Sequence, residues 1–307
     1  MSAESLRADL RELLQFAVPP SPILRLGDCE LRDGYLEQRV SYAGDEGDVP
    51  ALLLIPAKPS GAGVVVHHQH HSQWQLGKSE VAGLAGDRWQ AFGPALARWG
   101  VTVLAPDAVG FEERRPGPPG TDPRDRDAQD YLASMCYRLL RGRFLMCTVL
   151  SDAAAAHSAL AALDRVDDVR VGALGHSMGG ATVLLHAALD SRVAFAVASG
   201  SACTYRDRIA HRVGIECSQA IPGLLELADL DEIAPLIAPR PLLLASAEQD
   251  PYSRDAGAIA AAAARAYRDA GAPHALAHHR APGGHDLTAD RFQTIVDWTL
   301  ARAEDAA

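Results

Sequence analysis

The chain has 307 residues, 48% hydrophobic and 22% charged, which is enough apolar material for one large domain with a sizeable buried core. A formal net charge of −10 argues against a nucleic-acid partner and against an anionic membrane surface. Five scattered cysteines with no C-x-x-C pair argue against a disulfide framework and a structural zinc site.

The amino terminus, MSAESLRADLRELLQFA, is charged throughout and lacks the apolar core of a signal peptide. Its leucines at 6, 10, 13 and 14 fall at helical spacing, so residues 1–30 are expected to form an amphipathic helix and a lead-in packed on the domain. No apolar run approaches membrane-spanning length, and the expected location is cytoplasmic.

Leu36–Tyr42 and Pro50–Ile55 read as two opening strands, paired antiparallel. Six further strands follow at Gly63–His67, Val101–Ala105, Val169–Leu174, Val193–Ala198, Pro241–Ala247 and Ala275–Arg280. These are mostly β-branched or leucine-rich, as strands buried on both faces should be. Helix patterns lie between them at Asp87–Arg98, Phe144–Leu163, Gly179–Ala188, Ala256–Ala270 and Asp290–Arg302. The alternation predicts an α/β fold: residues 31–307 form a single domain around a mostly parallel, eight-stranded, doubly wound sheet with helices on both faces. Ligands are then expected beyond the carboxyl ends of the strands. Two segments interrupt the pattern as loop inserts, at about 111–143 and 202–238. The first opens with the proline- and glycine-rich FEERRPGPPGTDPRDRD.

Gly175-His176-Ser177-Met178-Gly179 fits G-x-S-x-G and lies between a predicted strand and a predicted helix, the setting of a nucleophile elbow. A serine hydroxyl needs an adjacent base. His285, in APGGHDL after the last strand, is the candidate. Asp250, at the end of the preceding strand, is the candidate acid that orients the imidazole. Glu248 is its rival, and Asp286 reads as a helix cap. The oxyanion hole is expected to take one N–H from Met178 and a second from the loop after the first parallel strand, at Gln69 or His70. That loop reads His67-His68-Gln69-His70-His71. Its four histidines raise a metal site as the weaker reading, because no cysteine or carboxylate is interleaved. As a polar roof over the pocket the loop offers His68 and His71 as substrate contacts, with His176 in the elbow as a third. Asp107 is expected to shape its turn, and Arg114 and Arg115 to be solvated.

GKSE, VLAPDAVGFEERR, LGHSMGG, IPGLLELADLDEIAPLIAPRPLLLASAEQDP and PGGH together resemble the dienelactone hydrolase-like branch of the α/β-hydrolases, leaning towards its acetyl xylan esterase-like carboxylesterases. The resemblance covers residues 30–300. It implies the α/β-hydrolase fold, no cofactor and no metal, and the triad Ser177, Asp250 and His285, with AEQDP favouring Asp250 over Glu248. Two features depart from the pattern: dienelactone hydrolase proper usually carries a cysteine nucleophile, and HHQHH replaces the usual His-Gly. The expected activity is serine esterase chemistry on a small-molecule ester or lactone, with a homo-oligomer left open. Rival readings are an acyltransferase, a peptidase-like or C–C bond hydrolase on the same triad, or a non-catalytic ligand-binding protein.

Overall fold

The computed structural model describes residues 2–117 and 124–305; residues 118–123 of the first expected insert lie outside the described residues. Among the described residues nine strands form one sheet: β1 (Arg25–Arg32), β2 (Tyr35–Gly44), β3 (Gly47–Pro56), β4 (Gly63–His67), β5 (Thr102–Pro106), β6 (Val171–His176), β7 (Ala196–Ser199), β8 (Leu242–Ala247) and β9 (Leu276–Ala281). Their spatial order is β1-β2-β3-β5-β4-β6-β7-β8-β9. The joints from β1 to β5 are antiparallel and those from β5 to β9 are parallel.

The sheet therefore has one strand more than the eight expected. β1, with the sequence RLGDCELR, falls in the segment assigned to a lead-in. Seven of its eight residues are exposed and it hydrogen-bonds only at the sheet's edge, to β2. A strand with no buried face leaves no apolar alternation to read.

β4, β6 and β8 are buried along almost their whole length because helices cover both faces of the sheet. Helices Leu145–Ala161, Met178–Leu189 and Ala256–Asp269 pack one face, joined by the amino-terminal helix Ala3–Leu13 through Leu6 and Leu10. Phe92–Ala97 and Ala289–Asp305 pack the other. The helix expected over Asp87–Arg98 is split. A 3-10 turn at Arg88–Gln90, capped by the Asp87 side chain, precedes Phe92–Ala97. Pro94 accounts for the late start: proline is tolerated only in the first turn of a helix.

Strand order reverses beside β4, which lies between β5 and β6. In an open α/β sheet, a crevice forms at that switch point, beyond the strands' carboxyl ends. The HHQHH loop leaves β4 there, and Ser177 follows β6 beside it. Within the first insert, Arg124–Leu139 forms a helix; within the second, Tyr205–Ala210 is the longest helix.

Candidate active site

Ser177 sits at φ 56° and ψ −118°, outside the regions that L-residues favour, between β6 and the helix beginning at Met178. Such strain costs on the order of 1–3 kcal/mol and persists only where the surroundings over-determine it. Here they do. Ser177 N–H donates to the Ser199 carbonyl at 2.8 Å, and the Ser177 carbonyl accepts from Ala181 N–H at 3.0 Å. All twelve residues of Met178–Leu189 are buried, so the helix cannot relax outwards. A Cβ on Gly179 would overlap the His67 carbonyl, which explains the second glycine of the motif.

His285 Nε2 lies 2.8 Å from Ser177 Oγ, and His285 Nδ1 lies 3.0 Å from Asp250 Oδ1. Asp250 is 1% exposed. Its Oδ1 also accepts from Tyr252 N–H at 2.9 Å, and its Oδ2 accepts from the Ser253 hydroxyl at 2.7 Å. Burial raises the Asp250 pKa, but the bond to His285 and those from Ser253 and Tyr252 outweigh it and hold the value below the usual carboxylate range. The acid is ionised and pre-oriented. Glu248, its rival, is exposed, and its side chain accepts from Gln249.

The His285 ring is flanked by Tyr252, with centroids 4.7 Å apart, and by His176 at 4.9 Å. His176 is buried, with Nδ1 2.9 Å from Ser199 Oγ. Burial and the neighbouring His285 push its pKa well below 6.5, so it stays neutral. His176 therefore packs behind the base and does not line the cavity, contrary to the expectation that it meets substrate.

The cavity over Ser177 has a volume of about 680 Å³ and is walled by His70, His71, Trp74, Met178, Tyr252 and His285, among others. Ala128, Tyr131 and Leu132 enter from the first insert, and Arg208, Glu216 and Gln219 from the second. Another cavity, of about 770 Å³, lies beside Ser21, His157, Arg192 and Arg240 and contains none of the candidate catalytic residues.

Within the histidine loop, His70 and His71 reach this wall; His68 does not. His68 Nδ1–H donates to the Gln69 carbonyl at 2.7 Å, and its Nε2 accepts from Ala108 N–H at 3.0 Å. With both ring nitrogens used and 2% exposure, His68 braces the loop and is not a substrate contact. The Gln69 side chain turns inwards to the Glu80 carboxylate, at 3.1 Å from each oxygen. His71 stands at the rim, 3.8 Å from the exposed Asp286. At the start of the helix Ala289–Asp305 it is Thr288 Oγ1, not the Asp286 side chain expected as a cap, that accepts from Arg291 N–H, at 3.4 Å. Met178 is the first residue of its helix, where a backbone N–H has no intrahelical acceptor and the dipole favours negative charge.

Sequence reasoning missed several supports. Asp107 accepts from Lys78 N–H at 2.8 Å and from Lys78 Nζ at 2.7 Å, a buried pair beneath the histidine loop. Arg114 and Arg115, expected to be solvated, pair at 2.7 Å with Asp152 and Asp127, all with nearly buried side chains. Arg291 is fully buried and donates to the carbonyls of Gly284 and Asp286, on either side of His285. No local motif announces these partners, because each pair joins residues distant in sequence or a side chain to backbone.

The family model for the alpha/beta hydrolase fold matches residues 81–211. Over 205 residues the chain is 30% identical to "Putative hydrolase YtaP" of Bacillus subtilis (strain 168), covering 63% of this chain. The chain spans about 62% of that relative's length. Among solved structures, a "putative acetyl xylan esterase (BF1801)" from Bacteroides fragilis NCTC 9343 superposes with a TM-score of 0.71 at 19% identity, over 91% of this chain and 74% of that one. A glucuronoyl esterase from Solibacter usitatus gives 0.66 at 18% identity, over 96% and 91%. The chain has the α/β-hydrolase fold.

Proposed function

We propose that this chain is a serine carboxylesterase, cleaving a carboxylic ester or lactone through an acyl-enzyme. The observation that carries the reading is the unbroken hydrogen-bonded path from Ser177 Oγ through His285 to the buried Asp250 carboxylate. Ser177 Oγ attacks the ester carbonyl as His285 Nε2 takes its proton. Asp250 accepts from Nδ1–H, fixing the tautomer and stabilising the imidazolium. The oxyanion is received by the N–H of Met178 and a second N–H from the Gln69–His70 stretch; one such donor is worth about 2.7–4 kcal/mol. His285 then protonates the leaving alcohol. Water, deprotonated by the same imidazole, attacks the acyl-enzyme, releasing the acid and restoring Ser177.

The names of the structural relatives, acetyl xylan esterase and glucuronoyl esterase, support ester cleavage as the reaction class. The chemistry calls for no cofactor, and a cavity of about 680 Å³ suits a small-molecule ester. All five cysteines are free, which supports a reducing, cytoplasmic setting.

The test is hydrolysis of nitrophenyl acyl esters of increasing chain length by the wild type and by Ser177→Ala. The expected result is turnover with a defined chain-length optimum, falling by at least about a thousandfold in the variant. Wild-type activity that survives the substitution would overturn the reading.

A further inference from the structure

Arg208, on the short helix Tyr205–Ala210, lines the cavity that holds Ser177 and His285 and is 3% exposed. Its guanidinium is held by neutral acceptors: Nη1 donates to Gln219 Oε1 at 2.7 Å, and Nη2 donates to the Ser201 carbonyl at 3.4 Å. Its Nε is buried and has no partner among the described residues. The guanidinium carbon lies 5.8 Å from the Tyr205 ring and 5.6 Å from the Tyr252 ring. The Tyr252 ring in turn lies against His285, so a single aromatic side chain separates the guanidinium from the candidate base.

The nearby acids are committed elsewhere. Asp207 pairs with Arg254 and His211, Asp229 with Arg206, and Asp255 binds Thr204. Glu216, in the same wall, accepts from the Ser218 N–H and hydroxyl. Among the described residues no carboxylate forms an ion pair with Arg208. A guanidinium taken out of water normally has its charge balanced. Here a fixed, oriented cation lines the reaction cavity with no carboxylate paired to it among the described residues. Its planar donor array matches a carboxylate. Glu216 and Asp286, the other charged groups on this wall, are acids that disfavour a more highly charged ligand.

We propose that Arg208 is a specificity residue that receives a free carboxylate carried by the substrate, so that preferred substrates are esters bearing a second, ionised carboxyl group. The proposal rests on the esterase reading for its reaction but not for its test. The Ser177→Ala protein is titrated calorimetrically with monomethyl adipate, which carries one free carboxylate, and with dimethyl adipate, its neutral counterpart. The anion is expected to bind at least about tenfold more tightly, the worth of one charge-assisted hydrogen bond. Adding Arg208→Gln should reduce that ratio to near one, and Arg208→Lys should retain part of it. Equal binding of the two ligands, binding of neither, or a preference that survives Arg208→Gln would overturn the proposal. The comparison of the two ligands on the protein that keeps Arg208 decides the matter even if Arg208→Gln does not fold. Wild-type turnover of neutral nitrophenyl esters reports separately on the esterase reading.

Discussion

Arg291 holds His285 from behind: its Nη1 donates to the Gly284 carbonyl at 2.8 Å and to the Asp286 carbonyl at 3.0 Å, fixing the backbone on both sides of the imidazole. Upstream, the PGGH loop is tied at Gly283, which is at φ 102° and whose N–H donates to Gln249 Oε1 at 2.8 Å while its carbonyl accepts from Gln249 N–H at 3.0 Å. A Cβ on either glycine would meet open space, so side-chain packing adds nothing there. Burial lowers the Arg291 pKa, opposed by Asp250 and Asp286, yet an arginine remains charged at any working pH. Arg291→Met should lower kcat by about a hundredfold, the scale of a 1 Å misplacement of a catalytic group. KM should change much less, because Arg291 does not line the cavity. Steady-state kinetics on nitrophenyl butyrate checks the split. A rise in KM with kcat intact would mean that the loop is held by other contacts.

Asp250→Asn should lower kcat by about ten-thousandfold, because the amide favours the wrong imidazole tautomer. The substitution also has a pH signature in stability. The native Asp250 pKa lies below its ordinary value, so its stabilising contribution is fully present above the ordinary carboxylate pKa and is lost as pH falls through the depressed native value. The gap in urea midpoint between wild type and Asp250→Asn should therefore be complete at pH 6 and shrink below about pH 4. A gap that is constant with pH would mean that the native carboxylate is not stabilised by its partners.

The parallel part of the fold is legible because its strands are short apolar runs broken by helical periodicity; β4 falls at Gly63–His67 in both sequence and structure. β1 is not legible, since pairing at an exposed edge needs backbone groups and no apolar face. Around the candidate site, Ser177, Asp250 and His285 stand out because each follows a strand in a known chain order. The HHQHH loop resists such reading. Adjacent histidines in an irregular loop have no period, so nothing local indicates that His68 turns inwards while His70 and His71 face the cavity. Arg208, Tyr131 and Trp74 converge on the cavity only through the tertiary fold.

Gly179 lies where the elbow helix crosses the end of β4, with no room for a side chain between it and the His67 carbonyl. Gly179→Ala must push apart the helix that begins at Met178 and the strand that leads into the histidine loop. Overpacking of this kind costs about 1–3 kcal/mol. Both proposed sources of oxyanion N–H groups move, so activity should fall more steeply than stability. Urea denaturation and initial rates measured on one preparation test this. Wild-type activity in Gly179→Ala would show that the helix start tolerates displacement.

Lys78→Met tests whether the buried charge cluster under the histidine loop is structural. Lys78 Nζ contacts Asp107, Glu112 and Glu113, each at 2.7 Å, and the lysine is 2% exposed. Burial depresses the Lys78 pKa, but the surrounding carboxylates outweigh it and keep the amine charged. Burial and the Glu112 charge, partly offset by Lys78, push Asp107 up to about 7. Removing the lysine strands these acids and should cost about 3–5 kcal/mol at neutral pH. An acid with a raised native pKa destabilises the fold as pH climbs from its unfolded value, near 4, through its native one. Without Lys78 that native value rises further, so the stability gap should be wider at pH 8 than at pH 5. Ala108 N–H, next to Asp107, donates to His68 Nε2, so the damage should reach the histidine loop and lower kcat as well. Urea midpoints at the two pH values decide the point: an equal gap at both would place the cost in lost packing of the lysine stem and not in its charge.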